Sequence, residues 1–389
     1  MPERPRVALL IETSNSYARG LLRGIHRYLR EHRPWTIDLP EQGRGAPPPL
    51  HLAQWRGDGI IARIENPRIA EAVRQAGLPT IDVSAARLLP DLPVVETDNE
   101  AIVRLAVGHL LAAGFKQFAF CGDERFAWSR LRRTWFERIV AEAGFPTSSY
   151  PRTAGRRALS WEQERASLAQ WLEGLPKPAG IMACYDQRGW QVLEVCRGIG
   201  LGVPDQVAVI GVDNDELLCE LAQPSLSSVI PDTDRTGYTA AELLGQMMAG
   251  RRVAAKEYLI GPLGIAARQS TDVLSGADAD VARAVRFIRD HACDGIKVQA
   301  VVDELAMSRR VLEHRFRRIL GHTPHDEILR VQIERVSRLL AETDLPLAVI
   351  ADRTGFKHAE YMSVAFKRQT GLSPRQFRDG KKGTQLDSG

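Results

Sequence analysis

The sequence predicts an α/β domain built on parallel strands, followed by an all-α domain that contains two helix-turn-helix motifs. Up to residue 268, short apolar and β-branched runs alternate with amphipathic helical segments. Residues 270–280 are small, polar and acidic, without either periodicity, and no strand-like run follows them. Because strand, helix and strand alternate at this spacing, we expect right-handed βαβ units and a sheet that is covered on both faces.

Seven apolar runs are predicted as strands because they are short, buried in character and rich in β-branched residues. They are VALLIE (7–12), TIDL (36–39), GIIARI (59–64), TIDV (80–83), QFAFCG (117–122), GIMACY (180–185) and VAVIGV (207–212). The intervening segments 19–32, 101–114 and 189–200 have helical periodicity, and two of them end in a glycine that favours a helix C-terminus.

Six further helices are predicted in the C-terminal part, at 281–292, 298–307, 308–321, 324–343, 346–355 and 360–371. In the third of them, Ser308 is a suitable N-cap, and Leu312, Phe316 and Ile319 recur on one face. A short helix, a tight turn at Gly355 and another amphipathic helix repeat that plan. The pattern therefore predicts the helix-turn-helix arrangement twice.

Composition limits the class of protein. The chain has 389 residues, 44% of them hydrophobic and 26% charged, which is typical of soluble globular domains. The N-terminus lacks a signal-peptide pattern, and no run is long enough to span a membrane, so we expect a cytoplasmic protein. The five cysteines are widely separated and include no C-x-x-C pair, which indicates neither disulfides nor a metal site; no cofactor is predicted.

The C-terminal motifs indicate double-stranded DNA as a partner. In a helix-turn-helix motif the second helix enters the major groove. The helix predicted at 324–343 would separate the two motifs by about 27 to 30 Å, close to the ~34 Å between successive major-groove faces. All of the net charge of +4 lies in residues 278–389, although charge alone would favour a merely solvated basic face.

This region resembles the AraC type of DNA-binding domain over about 279–379. The matching pattern comprises Ser308, Leu312, Phe316 and Gly321, then Ile350, Ala351, Gly355 and Phe356, and finally Phe366, Lys367, Gly371, Ser373, Pro374, Phe377 and Arg378. The resemblance implies that the first recognition helix reads more of the bases than the second.

Eleven residues on the outward faces of the two second helices are candidates for DNA contact: Arg309, Arg310, Glu313, His314, Arg317, Ala359, Glu360, Ser363, Val364, Lys367 and Arg368. Arg310 and His314 are expected at base edges, whereas Arg309, Arg317, Lys367 and Arg368 are expected at phosphates. Glu360 can accept from cytosine N4, and Val364 can pack on a thymine methyl. Solvated charge remains the alternative for Arg309 and Arg317, as does a helix-dipole role for Glu360.

In the α/β part, polar residues follow several predicted strands, where parallel sheets bind ligands. Carboxylates, amides, an arginine and indole rings together suit a polyhydroxyl ligand. The candidate ligand-binding residues are Glu12, Asn15, Tyr17, Asp98, Trp128, Arg132, Asp186, Trp190, Asp213 and Asn214. Helix capping remains an alternative for Asp213 with Glu216, for Thr97 with Glu100, and for Asp186.

Residues 6–272 are similar to the effector-binding domain of the LacI/GalR family. The similarity rests on DNEAIVRLAVGHLLAAGFKQFAF (98–120), VPDQVAVIGVDNDEL (203–217) and PSLSSV (224–229). It implies a two-lobed, periplasmic-binding-protein-like domain with its ligand between the lobes. The expected organisation is an effector-binding domain at 1–272, a linker at 273–280 and the DNA-binding domain at 281–389.

The order of these two domains, together with IRDHACDGIKV (288–298), resembles that of bacterial regulators of xylose operons. The resemblance implies a homodimeric activator of sugar-utilisation genes that responds to a monosaccharide, D-xylose or a related sugar, and acts on RNA polymerase. It also implies that Asp213, Asn214, Asp186 and Arg132 hold sugar hydroxyls. The first loop, from Glu12 to Asn15 and at Ala18, departs from the pattern, which leaves the identity of the sugar open.

Enzymatic function is not expected. The sequence contains no P-loop, no G-x-S-x-G and no H-E-x-x-H motif, and GIGLG (198–202) precedes a strand, whereas a dinucleotide-binding loop follows one. The alternative that remains is a constitutive DNA-binding regulator whose pocket is vestigial or takes a ligand other than a sugar.

Overall fold

The computed structural model describes residues 4–41, 43, 55–151, 160–272 and 279–379. The chain divides into two compact units, Met1–Val273 and Leu274–Gly389, which we call unit 1 and unit 2. Residues 273–278 of the predicted linker, and residues 380–389 of the predicted DNA-binding domain, lie outside the described residues.

Unit 1 contains twelve described strands. They are β1 Arg6–Leu10, β2 Thr36–Asp38, β3 Gly59–Ala62, β4 Thr80–Asp82, β5 Val94–Thr97, β6 Gln117–Cys121, β7 Thr147–Ser149, β8 Ala179–Ala183, β9 Val207–Val212, β10 Ser227–Ile230, β11 Glu257–Ile260 and β12 Gly264–Ala266. All seven predicted strands form. The sequence patterns missed β5, β7, β10, β11 and β12, of which β7 and β12 are three residues long and β11 is partly exposed.

Helices α1 to α8 also belong to unit 1, and α9 to α14 belong to unit 2. They span α1 Ser16–Glu31, α2 Pro67–Ala76, α3 Asn99–Ala112, α4 Ala127–Glu142, α5 Trp161–Gly174, α6 Asp186–Gly198, α7 Glu216–Leu221, α8 Thr233–Met248, α9 Ala279–His291, α10 Val298–Leu305, α11 Arg309–Leu320, α12 Pro324–Glu342, α13 Leu347–Arg353 and α14 Ala359–Thr370.

Two six-stranded sheets make unit 1 a two-lobed structure, as predicted. The order is β11-β5-β4-β3-β1-β2 in lobe 1 and β12-β10-β9-β8-β6-β7 in lobe 2. Every pairing is parallel except that of β12 with β10. The carboxyl ends of the parallel strands therefore gather at one edge of each sheet, where ligands bind in open α/β structures.

The chain crosses between the lobes three times. After β5 it enters lobe 2, where α3 packs in the core with Phe118 and Phe120 of β6. After β10 it returns to lobe 1, where α8 packs on α1 with Leu244 in the core. After β11 it crosses again to β12 of lobe 2.

Unit 2 has two hydrophobic cores that share the long helix α12. The first core combines α9, α10 and α11 with the start of α12, around Leu312 and Phe316. The second combines the end of α12 with α13 and α14, around Met362 and Phe366. In its described residues unit 2 is entirely helical and contains the two predicted helix-turn-helix motifs, so the predicted fold class is confirmed.

Candidate functional site

A cleft between the two lobes of unit 1 brings together side chains from both sheets. It is lined by Tyr17, Glu96, Trp128, Arg132 and Asp213. Tyr17 and Glu96 come from α1 and β5 of lobe 1, and the other three come from α4 and the end of β9 in lobe 2. The cleft is thus formed at the carboxyl ends of strands in both lobes.

On the lobe 1 side, the carboxylate of Glu96 is surrounded by donors. Tyr17 Oη and Thr97 Oγ1 each donate to Glu96 Oε1 at 3.0 Å. Burial raises the pKa of Glu96, while the positive charges of Arg63 and Arg132 act in the opposite direction. Burial, followed by the charge of Glu96, raises the pKa of Tyr17, so that its hydroxyl remains protonated and available as a donor.

Arg63, which follows β3, supports this side of the cleft from behind. It is 7% exposed, forms ion pairs with Glu12 at 3.1 Å and with Glu65, and lies 5.1 Å from the centre of the Tyr17 ring. Buried ion pairs persist only when their hydrogen bonds offset the cost of desolvation. The network therefore fixes the first loop of lobe 1, including Glu12, and the orientation of Tyr17.

On the lobe 2 side, α4 supplies an aromatic surface and a cation. The Trp128 ring stacks on Phe126, with ring centres 5.1 Å apart, and the guanidinium of Arg132 lies 5.2 Å from the Trp128 ring centre. Arg132 Nε donates to Asn99 Oδ1 at 2.8 Å, and its Nη1 donates to the carbonyl of Cys184 at 2.6 Å. Because Arg132 is 3% exposed and fixed at two nitrogens, it is a preorganised donor.

The loop after β9 places Asp213 in the cleft by means of an unusual backbone. Asp213 and Asn214 have φ angles of 107° and 47°, in the left-handed region that costs a non-glycine residue ~1 to 3 kcal/mol. The Asp215 N–H donates to Asp186 Oδ2 at 2.7 Å, and Ser228 Oγ donates to Asp186 Oδ1 at 2.6 Å. Asp186 therefore holds the loop in place. Burial, and then the charge of Asp213, raises its pKa.

The structure brings four of the ten predicted ligand residues to the cleft surface: Tyr17, Trp128, Arg132 and Asp213. Asp186 and Asn214 lie behind Asp213, where the amide oxygen of Asn214 accepts from Arg268. Glu12 pairs with Arg63. Asn15 and Asp98 are the N-caps of α1 and α3, and Trp190 packs against the core beneath α5 and α6.

The N-cap residues in the structure differ from the ones that the sequence patterns offered as alternatives. The N-cap of α3 is Asp98 and not Thr97, that of α6 is Tyr185 and not Asp186, and that of α7 is Asp215 and not Asp213. The carboxylate of Asp186 accepts from the Asp215 N–H and from Ser228 Oγ of β10, and Asp213 lines the cleft. A D-x-x-E pattern is thus a poor guide where the backbone turns sharply at a strand end.

The sequence patterns missed Glu96 and Arg63. Glu96 belongs to the ETDNE segment, but the expectation fell on Asp98, because β5 was not recognised as a strand. A glutamate at the carboxyl end of the buried run VVET was the available signal. Arg63 lies near the end of the predicted strand GIIARI. A charged residue inside an apolar run is rarely buried unless it is paired, so Arg63 was also a recognisable candidate for a site residue.

In unit 2, α11 presents a basic outward face. Ser308 caps the helix, accepting from the Val311 N–H at 3.4 Å, and the exposed residues Arg310, His314, Arg317 and Arg318 form one stripe opposite the buried Leu312 and Phe316. Arg309 Nε pairs with Glu313 Oε1 at 2.8 Å. An exposed pair of this kind contributes only about 0.3 to 0.5 kcal/mol, so Arg309 is free to exchange Glu313 for a phosphate.

The corresponding face of α14 is less basic and more apolar. Glu360, Val364, Lys367 and Arg368 are exposed, and Val364 is 68% exposed. Ser363 Oγ donates to the Ala359 carbonyl at 2.7 Å, which occupies its proton within the helix. Tyr361, which is not among the candidate DNA-contact residues, is 54% exposed beside this stripe, and Val311 occupies the same place on α11.

Known proteins resemble the chain along almost its full length. Family models match residues 6–100 (XylR N-terminal domain), 107–271 (periplasmic binding protein-like domain) and 301–380 (helix-turn-helix domain). The xylose operon regulatory protein of Haemophilus influenzae is 34% identical over 96% of this chain and 98% of its own length. That of Escherichia coli K12 is 33% identical over 97% of both chains.

The chain belongs to the family of xylose operon regulatory proteins. The fold agrees over the same extent: the solved structure of a xylose-binding transcription activator, XylR, superposes with a TM-score of 0.81 at 32% identity and covers 97% of this chain and 98% of that one. Membership of the xylose operon regulators confirms the predictions of a DNA-binding transcription regulator with a sugar-binding type of effector domain, and of a function that is not enzymatic.

Among the described residues, no helix is both long and apolar enough to cross a membrane. Nor do the described histidines, cysteines, aspartates and glutamates form a group of three placed to hold a metal ion.

Proposed function

We propose that this regulator activates sugar-utilisation genes and is controlled by D-xylose, or a closely related monosaccharide, bound in the cleft of unit 1. The cleft lining carries the proposal. Carboxylates from opposite lobes, Glu96 and Asp213, accept hydroxyl donors, Arg132 donates, and Trp128 offers an apolar face to a sugar ring.

The similarity to xylose operon regulators supports xylose within the sugar class. Because the cleft is lined from both lobes, a bound sugar would favour the closed arrangement of the two lobes and so change how the DNA-binding domain is presented. We further propose the domain boundaries 1–272, 273–280 and 281–389, a homodimer that binds repeated half-sites, RNA polymerase as the partner in activation, and a cytoplasmic location.

Calorimetric titration of the full-length chain tests the sugar site. D-Xylose should bind saturably and should be recovered unchanged. Asp213→Asn should weaken binding by about 10-fold or more, because a hydrogen bond to a charged group contributes ~1.5 to 3 kcal/mol. Glu216→Gln, an exposed change three residues away, should bind like the unmodified chain. If D-xylose, L-arabinose, D-ribose and the common hexoses all fail to bind, the sugar site is wrong, and the alternative of a vestigial or non-sugar pocket is favoured.

For DNA, we propose that Arg310 and His314 read base edges, with Glu360 and Val364 reading bases in the second motif. Arg309, Arg317, Lys367 and Arg368 would contact phosphates, and Glu313, Ala359 and Ser363 would border these contacts. The contrast between the basic stripe of α11 and the more apolar face of α14 supports this division.

Binding measured on systematically mutated DNA sites distinguishes base reading from phosphate contact. Arg310→Ala should cost ~1 to 3 kcal/mol and relax the preference at one base position. Lys367→Ala should weaken all sites about equally and reduce the salt dependence. An Arg310→Ala protein with undiminished sequence preference would remove Arg310 from the base-reading set.

A further inference from the structure

Arg268 lies at the junction between the cleft loop and the end of unit 1. It follows β12, and its side chain is 12% exposed. Its guanidinium donates to three acceptors, each at 3.0 Å: Asn214 Oδ1 through Nη2, the Leu226 carbonyl through Nη1, and Glu220 Oε1 through Nε. One side chain therefore joins the loop after β9, the end of α7 and the segment before β10.

The loop that Arg268 contacts is also the loop that presents Asp213 to the cleft. Around its left-handed residues, Asp213 and Asn214, the Asp213 N–H donates to the Val229 carbonyl at 3.1 Å, the Asn214 N–H donates to Ser228 Oγ at 3.0 Å, and the Asp215 N–H donates to Asp186. A non-glycine residue in this region of φ persists only where the surrounding structure holds it. Asn214, the residue next to Asp213, is the part of this loop that Arg268 contacts.

Hydrogen bonds join the main chain around Arg268 to β10 and β9. The Arg268 N–H donates to Ser227 Oγ at 2.7 Å, the Ser227 N–H donates to Ser270 Oγ at 2.8 Å, and Ser270 Oγ donates to the Val209 carbonyl at 2.6 Å. Thr271 Oγ1 lies 2.7 Å from His109 Nε2 of α3. From Asp272 the chain continues through residues 273–278 to α9 of the DNA-binding unit.

We propose that Arg268 is a positioning residue that couples sugar occupancy of the cleft to the DNA-binding unit. The proposal rests on the proposed sugar site. When Asp213 engages the sugar, the Asn214 amide moves relative to the guanidinium, and the rearranged hydrogen bonds of Arg268 change the segment from which the linker departs. Allosteric couplings of this kind typically amount to a ~5- to 150-fold change in affinity.

The test measures two affinities in the full-length chain: D-xylose by calorimetry, and DNA by fluorescence anisotropy with and without saturating D-xylose. The DNA probe is a duplex selected in vitro by the unmodified protein. Arg268→Gln should retain an affinity for D-xylose within about threefold of the unmodified chain. The ratio of its DNA affinities with and without D-xylose should be at least about fivefold smaller than that of the unmodified chain. Arg197→Gln is the matched control, because Arg197 also bonds to neighbours in lobe 2, Glu194 and Gln223, but on its exposed surface.

A second variant keeps the proposal falsifiable if Arg268→Gln loosens the lobe. Asn214→Gly permits the positive φ while removing the amide acceptor, and it should uncouple the protein in the same way. If the Arg268–Asn214 hydrogen bond carries the coupling, the double variant should lose no more coupling than Arg268→Gln alone, because both changes remove that bond. If the double variant loses as much coupling as the two single variants together, Arg268 and Asn214 do not act through the same interaction.

The outcomes separate this proposal from the proposed function. If the unmodified chain binds no sugar, the sugar site itself is wrong and the coupling proposal falls with it. If the unmodified chain binds D-xylose but Arg268→Gln responds to it fully, only the coupling role is overturned. Loss of D-xylose binding in Arg268→Gln with intact thermal unfolding would place Arg268 in the sugar site and would likewise overturn the coupling role.

Discussion

Two buried carboxyl groups, Asp82 and Glu96, lie at strand ends of lobe 1. Asp82, at the end of β4, is fully buried, and its Oδ1 accepts from the Ile64 N–H at 3.3 Å. Burial raises the pKa of Asp82 to about 7, and the nearby charge of Glu96 acts in the same direction. Burial also raises the pKa of Glu96, which lines the cleft. The strand ends of this lobe thus hold carboxyl groups that a purely structural core would exclude.

A pH series tests this placement of Asp82. Because its pKa is higher in the folded state, its contribution to stability is complete below about pH 4 and is lost as the pH rises through about 7. Asp82→Asn keeps an acceptor for Ile64 but does not titrate. Relative to the unmodified chain, we expect this variant to gain at least ~1 kcal/mol of unfolding free energy between pH 5 and pH 8.

Urea unfolding at several pH values, followed by tryptophan fluorescence, gives the measurement. Asp91→Asn, an exposed change in the same lobe, should show the same pH dependence as the unmodified protein. Superimposable pH profiles for Asp82→Asn and the unmodified chain would show that Asp82 is already ionised without cost.

At the scale of elements, the two helix-turn-helix motifs share one plan but are locked to their surroundings differently. The turn of the second motif approaches the loop between α9 and α10 so closely that a Cβ on Gly355 would lie 2.7 Å from both the Ala292 carbonyl and the Gly295 nitrogen. Gln332 of α12 also donates to the Ala292 carbonyl, at 3.0 Å. These contacts fix the second motif against the first half of unit 2.

A pair of glycine substitutions isolates that contact. Gly355 and Gly371 have nearly identical φ angles of 76° and 77°, but a Cβ on Gly371 would meet nothing within 4 Å. Gly371→Ala should therefore cost only the backbone strain of about 1 to 2 kcal/mol. Gly355→Ala should cost clearly more, because backbone atoms must also move apart.

Hydrogen exchange of the α13 and α14 amides in the full-length chain measures the difference. DNA binding should follow it: Gly355→Ala should lower affinity for a site that spans both motifs more than Gly371→Ala does. Equal protection and equal affinity in the two variants would mean that the close approach to residues 292–295 stabilises nothing.

At the scale of the whole molecule, unit 1 and unit 2 have separate hydrophobic cores. The chain's seven tryptophans all precede residue 191, so tryptophan fluorescence reports on unit 1 alone. Unit 2 contributes helices without tryptophan, so that backbone probes are needed to follow it. The two units can accordingly be followed separately in the intact protein.

Sugar binding should stabilise the two units unequally. At a D-xylose concentration 100 times Kd, the ligand should add ~2.7 kcal/mol to the unfolding free energy of unit 1. The fluorescence transition should therefore move to higher urea, while amide exchange in α12 changes by less. Asp213→Asn, compared at the same sugar concentration, should show a smaller shift. A shift confined to unit 2 would argue against the cleft as the sugar site.

The sequence alone determined the fold class, the order of the two domains and both recognition helices. These features depend on local signals, namely hydrophobic period, glycine at helix ends and N-caps such as Ser308. Such signals come from residues that are close together in the chain, so they can be read without the tertiary structure. The sequence also identified Tyr17, Trp128, Arg132 and Asp213, because polar residues after parallel strands gather at one edge of a sheet.

Only the tertiary structure decided which polar residues line the cleft and which support it. Asp186 and Asp213 both follow a predicted strand, yet Asp186 accepts from the Asp215 N–H and holds the loop, whereas Asp213 lines the cleft from a backbone with positive φ. Glu96 lines the cleft, whereas Asp98 caps α3. Side-chain direction at a strand end depends on register and on crossovers between sheets, which involve residues far apart in the chain.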